Sequence, residues 1–108
     1  INAAISYKIA KKPDAIFSSS DFVALGAIQE LKARNIKIPG DIAVIGFANE
    51  PFTNFEELSI SSIDQFPEEM GKMTARVFLE QMDASENIKI DKKVVMEPKL
   101  IIRKSSKK

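Results

Sequence analysis

The sequence predicts an α/β protein built on a parallel sheet, and three observations support this class. Short apolar runs alternate with segments of helical periodicity along the 108 residues. One run, residues 42–47, is apolar throughout, as a parallel strand covered on both faces requires. Polar loops follow the predicted strands. Strands that alternate with helices pair in parallel through crossover connections.

The first predicted unit is a strand, a helix and a second strand. Residues 15–17 form a short apolar strand that ends in a polar cluster at residues 18–21. Helical spacing then continues to Asn35, through four apolar positions: Phe22, Leu25, Ile28 and Leu31. Asn35 is suited to end this helix in a left-handed conformation. A Pro-Gly turn leads into the strand at 42–47.

A polar loop, a weaker strand and an amphipathic helix come next. The loop covers residues 48–57 and the strand residues 59–64. Pro67 stands where a first helical residue would be, and two glutamates after it compensate the helix dipole. One face of the helix is apolar, with Met70, Met73, Thr74, Val77, Phe78 and Met82. Such a methionine stripe is more typical of core packing than of a cofactor site.

Both ends of the chain carry further signals. Residues 3–10 have helical spacing, so the sequence starts almost inside an element, as a piece of a longer protein would. Two strand-like runs, 94–97 and 100–102, follow a polar loop near the other end. The last five residues are lysines and serines, which predict a solvated tail more than a DNA contact.

Composition excludes several classes of function. The chain has no cysteine and no histidine, so disulfides, thiolate nucleophiles, Cys-type zinc sites and the usual general base are absent. The pairs Glu56-Glu57 and Glu68-Glu69 are adjacent in sequence and point to different sides, so neither forms an acid/base dyad. A net charge of +1 gives no global attraction to nucleic acid. We predict no enzyme, cofactor, metal or membrane partner, and a cytoplasmic location.

Polar residues at the carboxyl ends of the predicted strands are the candidate ligand site, since ligands of parallel sheets bind there. These residues are 18–21, 48–50 and 64–65. A structural role explains Asp21 about as well as a ligand contact does, because carboxylates and caps are common in the first turn of a helix. The polarity expected of any surface loop explains Asn49 and Glu50 about as well as a ligand or interface contact does.

Three separated motifs resemble the C-terminal part of the lactose/galactose-repressor (LacI/GalR) family of bacterial regulators. They are Asp21 followed by Ala-Leu-Gly at 24–26, the run IPGDIAVIGF at 38–47, and residues 63–67 leading to Met70-Gly71. Their order and spacing match over nearly the whole chain. The family usually carries Asp-Asp or Asp-Asn after Gly-Phe or Gly-Tyr, whereas Ala48-Asn49 follows Gly46-Phe47 here, so that Ala48 replaces the usual aspartate.

The resemblance implies a type-I periplasmic-binding-protein-like fold, with two subdomains that close on a small molecule. The chain would be a truncated C-terminal subdomain without the DNA-binding headpiece, and its helix at 65–82 would pack in the N-terminal subdomain. By resemblance, Asp21 contacts the effector and Gln65 lies beside the cleft; Ser19, Ser20 and Asn49 are weaker candidates. We expect Asp21→Ala to abolish effector response and to leave folding largely intact.

The resemblance also implies a homodimer contact at four residues: Phe52, Phe55, Glu56 and Leu58. The alternative is that the loop phenylalanines fold back onto their own sheet. The helix at 67–82 would lack its usual partner, so we expect it to dock on its own sheet or to exchange with a second copy.

We predict that the chain is the effector-binding and dimerisation segment of a transcriptional regulator that senses a small molecule, most simply a sugar. The regulator would reach DNA only through the missing headpiece. Three alternatives stay open. A periplasmic sugar-binding protein of a transporter shares the fold. A flavodoxin-like enzyme lacks support because the sequence has no nucleophile-base pair or phosphate loop. A purely structural dimerisation module is the fourth reading.

Overall fold

The computed structural model describes residues 13–83 and 91–108. The elements are β1 (Ala15–Phe17), α1 (Asp21–Ala33), β2 (Ala43–Ile45), a 3-10 helix (Pro51–Asn54), β3 (Ser62–Asp64), α2 (Pro67–Asp83) and β4 (Lys99–Ile101). This alternation confirms the α/β class. The chain divides into two compact units, one reaching to Asp64 and resuming at Leu100–Lys108, the other Gln65–Lys99. The helix predicted for residues 3–10 lies outside the described residues.

The sheet of the first unit is parallel where β1 and β2 meet. Ile16 pairs with Val44 in this register, and a parallel bridge joins Ile45 to Ser61 just before β3. β3 pairs with β4. The core lies between α1 and these strands and is formed by Ala24, Ile28, Leu31, Ile42, Val44 and Ile60. The apolar positions that predicted α1 and β2 therefore include most of the buried core.

Local chemistry sets both ends of α1. The Ser20 hydroxyl accepts a hydrogen bond from the backbone N–H of Val23 at 3.1 Å, which is the usual N-terminal cap. At the other end, Asn35 has a φ of 60°, in the left-handed region that the sequence predicted for it. The helix boundaries follow from short-range signals that the sequence displays directly.

The C-terminal segment is part of the first unit rather than a solvated tail. Ser105 is buried, and its backbone oxygen accepts from the Val44 N–H at 2.9 Å. Its hydroxyl donates to the Val44 oxygen at 2.6 Å and accepts from the Ser61 N–H at 2.8 Å. Lys104, Lys107 and Lys108 remain exposed. The tail prediction is wrong because composition does not reveal these distant backbone partners.

The second unit contains α2, which begins at Pro67 as predicted. None of the residues of α2 is buried, so the methionine stripe does not form a core in the chain as described. Instead, part of the stripe lines an open groove of about 250 Å³ with Met70, Met73, Thr74, Val77, Lys92, Val94 and Met96. The strand predicted for residues 94–97 is absent, because β-branched residues give no strand without a neighbouring one.

Within the described ranges, no helix combines the length and the apolar character that crossing a lipid bilayer would require.

Candidate functional site

Backbone hydrogen bonds bring the polar ends of three strands together in the first unit. The Asp21 N–H donates to the Phe47 oxygen at 3.1 Å, which ties the start of α1 to the end of β2. The Ala48 N–H donates to the Ile63 oxygen at 3.0 Å and so ties the following loop to β3. The candidate residues after β1 and β2 and the end of β3 itself therefore share one edge of the sheet in the first unit, as the parallel topology predicted.

Asp21 is the centre of this edge. The residue has no exposed surface. One carboxylate oxygen accepts from the Ser62 hydroxyl at 2.6 Å, and the other accepts from the Glu50 backbone N–H at 2.7 Å. Hydrogen bonds to a carboxylate are stronger than neutral ones. Asp21 thus braces α1 against β3 and the loop after β2, and its removal would leave a buried hydroxyl and a backbone N–H without partners.

The structural task of Asp21 alters one expectation. Asp21→Ala was expected to leave folding largely intact, but the burial and the two hydrogen bonds contradict that. The contact of Asp21 with an effector stays a prediction. Sequence reasoning missed the brace because neither Ser62 nor the Glu50 N–H is near Asp21 in the chain.

Gly46 is needed because Asp21 packs directly against it. A Cβ atom on Gly46 would contact the Asp21 Oδ1 atom, and it would lie 3.2 Å from the Asp21 Cα atom. The Gly46 N–H is fixed to the Ser61 oxygen at 2.8 Å. The requirement is one of space, because the backbone of Gly46 does not have a positive φ.

The loop after β2 is held in an unusual backbone conformation. Ala48 and Asn49 have φ values of 110° and 55°. Residues other than glycine rarely adopt a positive φ. The Asn49 N–H donates to the Ser62 hydroxyl at 2.9 Å, and the Asn49 side-chain nitrogen lies 3.4 Å from an oxygen of Asp64. The sequence suggested Asn49 as a candidate but gave no sign of this strained loop, since no glycine marks it.

Arg103 is the residue at this edge that the sequence did not predict. Its guanidinium donates to the Asn49 side-chain oxygen at 2.8 Å, to the Thr53 hydroxyl at 2.9 Å and to the Ile60 oxygen at 2.8 Å. Thr53 is completely buried. Placed between an apolar run and a lysine-rich end, Arg103 carried no signal that it would reach residues 43 to 54 positions earlier.

The remaining candidates differ in accessibility. Ser19 is exposed, and Ser20 is half-buried with its hydroxyl used as the cap of α1. Gln65 is half-buried and belongs to the second unit, directly after β3. Ser18, which precedes them, is buried, and its hydroxyl has no hydrogen-bond partner in the described structure. The accessible polar side chains are therefore Ser19, Ser20, Asn49 and Gln65 rather than Asp21.

The four residues predicted for a dimer contact divide into two groups. Phe52 and Leu58 are half-buried and pack against the core, as the fold-back alternative anticipated. Phe55 is 57% exposed and Glu56 is exposed. Phe22, which is 65% exposed, packs its ring against Phe52 with the centroids 5.0 Å apart. An aromatic surface of Phe22, Phe52 and Phe55 therefore borders the start of α1.

The chemistry that the residues of this edge offer is hydrogen bonding. Among residues 13–83 and 91–108, no group of three acidic side chains is placed to hold a metal ion. The polar groups at the edge are hydroxyls, an amide and carboxylates, which suit a neutral ligand with several hydroxyl groups.

Known proteins share this fold and this order of elements. The family model of the periplasmic binding protein-like domain matches residues 2–106, so the chain belongs to that family. The HTH-type transcriptional repressor PurR of Vibrio parahaemolyticus is 32% identical over 99 residues, which is 91% of this chain and 29% of the relative.

Two solved structures narrow the class further. A complex of the transcriptional regulator CelR with cellobiose superposes with a TM-score of 0.77 at 29% identity, over 86% of this chain and 28% of the other. A LacI family regulator from Lactobacillus casei with bound sucrose gives a TM-score of 0.76 at 30% identity, over 97% and 38%. The chain is part of a LacI/GalR effector-binding domain. It spans about a third or less of the length of the PurR and CelR proteins.

Proposed function

We propose that the chain forms part of the effector-binding domain of a transcriptional regulator that senses a sugar. One observation carries the proposal: hydroxyl, amide and carboxylate groups converge where β1, β2 and β3 end, and the network around Asp21 holds them in place. The support from relatives is that CelR was solved with cellobiose and the Lactobacillus casei regulator with sucrose.

Within this site we assign direct contact with the effector to the accessible side chains. Ser20 and Asn49 lie in the first unit and are half-buried, so a ligand reaches them at a lower cost in desolvation than it would reach the buried Asp21. Contact of the effector with Gln65 stays a separate prediction. Asp21, although it was the first candidate, acts as a brace, because it has no exposed surface and each of its oxygens accepts a hydrogen bond from the protein. Direct contact by Asp21 would require its buried carboxylate to become accessible.

Calorimetric titration of the full natural protein with cellobiose and sucrose, followed by a panel of monosaccharides, tests the proposal. We expect one sugar to bind and Asn49→Ala to weaken its binding at least about tenfold, which corresponds to one lost hydrogen bond of about 1.4 kcal/mol. Asn54→Ala is the matched control, since Asn54 is exposed in the 3-10 helix of the same unit. Equal affinity of the two variants contradicts the site, and binding of no sugar contradicts the effector class.

The regulator and transporter alternatives differ in what precedes this chain. A helix-turn-helix upstream of Ile1 supports the regulator, whereas a signal peptide supports a periplasmic sugar-binding protein. A gel-shift assay of the full protein with the DNA upstream of its own gene gives the same distinction. We expect a shift that the bound sugar changes.

We further propose that the aromatic surface forms a two-fold contact between copies. The aromatic surface is exposed, since Phe22 and Phe55 leave two large rings in solvent next to Phe52, and a contact between copies would bury them. Sedimentation velocity of Phe55→Glu should show a shift toward the monomer. Phe17→Glu is the control, as Phe17 is 64% exposed and lies on β1 outside this surface. A wild-type sedimentation pattern for Phe55→Glu contradicts the contact.

A further inference from the structure

Arg103 makes more hydrogen bonds than any function assigned so far requires. Its guanidinium, which is half-buried, donates to two side chains and one backbone oxygen, all in the loop between β2 and β3: Asn49, Thr53 and Ile60. Its own N–H donates to the Ser61 hydroxyl at 2.7 Å. A planar guanidinium with fixed donors holds several acceptors in one geometry, which an ammonium group cannot do.

The contact with Asn49 decides how its amide is oriented. A guanidinium has only donors, so the amide atom that faces it at 2.8 Å must be the oxygen. The amide nitrogen is then turned toward the carboxylate of Asp64, 3.4 Å away. The same oxygen also lies 3.3 Å from the Thr53 hydroxyl. The oxygen and one N–H are thus committed to protein partners, and the amide can offer its other N–H to a ligand.

The same contact reaches Asp21 through the backbone. Asn49 is in the left-handed conformation, and the next residue, Glu50, donates its N–H to the Asp21 carboxylate. The Glu50 oxygen accepts from the Thr53 hydroxyl at 2.6 Å, and that hydroxyl in turn accepts from Arg103. Arg103 therefore fixes the loop at both Asn49 and Thr53, on either side of the N–H that braces Asp21.

We infer that Arg103 is a positioning residue of the effector site, which sets the Asn49 amide with its nitrogen available as the donor. The inference rests on the proposed function for its biological meaning. Because Asn49 then offers an N–H, the ligand atom that contacts it is a hydrogen-bond acceptor, such as a sugar oxygen.

Nuclear magnetic resonance of the ¹⁵N-labelled full chain tests the inference without any effector, so its failure is distinct from failure of the sugar titration. The Asn49 side-chain amide signals are identified by their loss in Asn49→Asp. In the wild type we expect the amide protons to show nuclear Overhauser contacts to Asp64 and not to the Arg103 guanidinium protons. The reverse pattern overturns the inference.

Arg103→Lys keeps the positive charge but removes the planar fork, so it is the matched substitution. We expect the Asn49 side-chain signals to move to the positions of a free asparagine amide, together with a shift of the Glu50 backbone N–H. Arg76→Lys, on the exposed surface of α2, should move none of these signals. Unchanged Asn49 signals in a folded Arg103→Lys protein overturn the inference, and if that variant does not fold, the wild-type contacts decide.

Discussion

Gly46→Ala should strongly destabilise the chain through a single misplaced methyl group. The added Cβ would occupy the space of the Asp21 Oδ1 atom and approach the Asp21 Cα atom to 3.2 Å. Neither side can retreat freely, because the Gly46 N–H is bound to Ser61 and the Asp21 N–H to Phe47. The carboxylate must therefore rotate away, which breaks its hydrogen bonds of 2.6 and 2.7 Å.

Two hydrogen bonds to a charged acceptor contribute about 1.5–3 kcal/mol each, so the expected loss is about 3–6 kcal/mol. A domain of this size has a total stability of about 5–15 kcal/mol. Urea unfolding followed by far-ultraviolet circular dichroism measures the change, and the midpoint should fall by at least about 1 M.

A second glycine gives the opposite prediction and so serves as the control. Gly26 lies inside α1 with nothing within 4 Å of an added Cβ atom. Gly26→Ala should therefore raise the stability by about 1 kcal/mol, from helix propensity alone. The same glycine-to-alanine change would therefore lower the free energy of unfolding at residue 46 and raise it at residue 26. A Gly46→Ala protein with the wild-type unfolding midpoint would refute the account of Asp21 as a brace.

Substitutions at Ser20 and Ser105 test the cap of α1 and the C-terminal contact of the first unit. Ser20→Ala removes the cap of α1 and should cost about 1 kcal/mol, whereas Ser20→Asp should restore most of it, as measured by the thermal midpoint. Ser105→Ala leaves the Ser61 N–H without its buried acceptor and should cost about 1–3 kcal/mol. Lys107→Ala, two residues later and exposed, should have no effect on urea unfolding, and equal curves for it and Ser105→Ala would contradict the role of that hydroxyl.

The sequence predicts those parts of the fold that depend on local signals. β1 at residues 15–17, the start of α2 at Pro67 and the left-handed Asn35 each follow from neighbouring residues, and the structure confirms them. Residues 94–97 show the limit of such signals. Their β-branched and apolar side chains favour a strand, but strand formation needs a partner, and Val94 and Met96 line the groove of the second unit instead.

The candidate site shows the same limit at the level of chemistry. Residue type and position at a strand end are enough to select Asp21 and Asn49, because topology brings strand ends together. They do not reveal that Ser62 already binds the Asp21 carboxylate or that Arg103 already binds the Asn49 oxygen, since these partners lie 41 and 54 residues away. Whether a polar group is free for a ligand depends on such distant partners.

The bond between Val44 and Ser105 has a consequence for synthesis on the ribosome. The two residues are 61 positions apart, and both backbone groups of Val44 on the side away from β1 are used by Ser105. At about 5–20 residues per second, Val44 emerges roughly 3–12 s before its partner is made. During that time the edge of β2 is unpaired at Val44, and an unpaired strand edge is the kind of surface on which unfinished chains aggregate. A nascent chain of this protein is therefore expected to depend on chaperones until Ser105 has been made, and a product cut short before Ser105 keeps this unpaired edge for its lifetime.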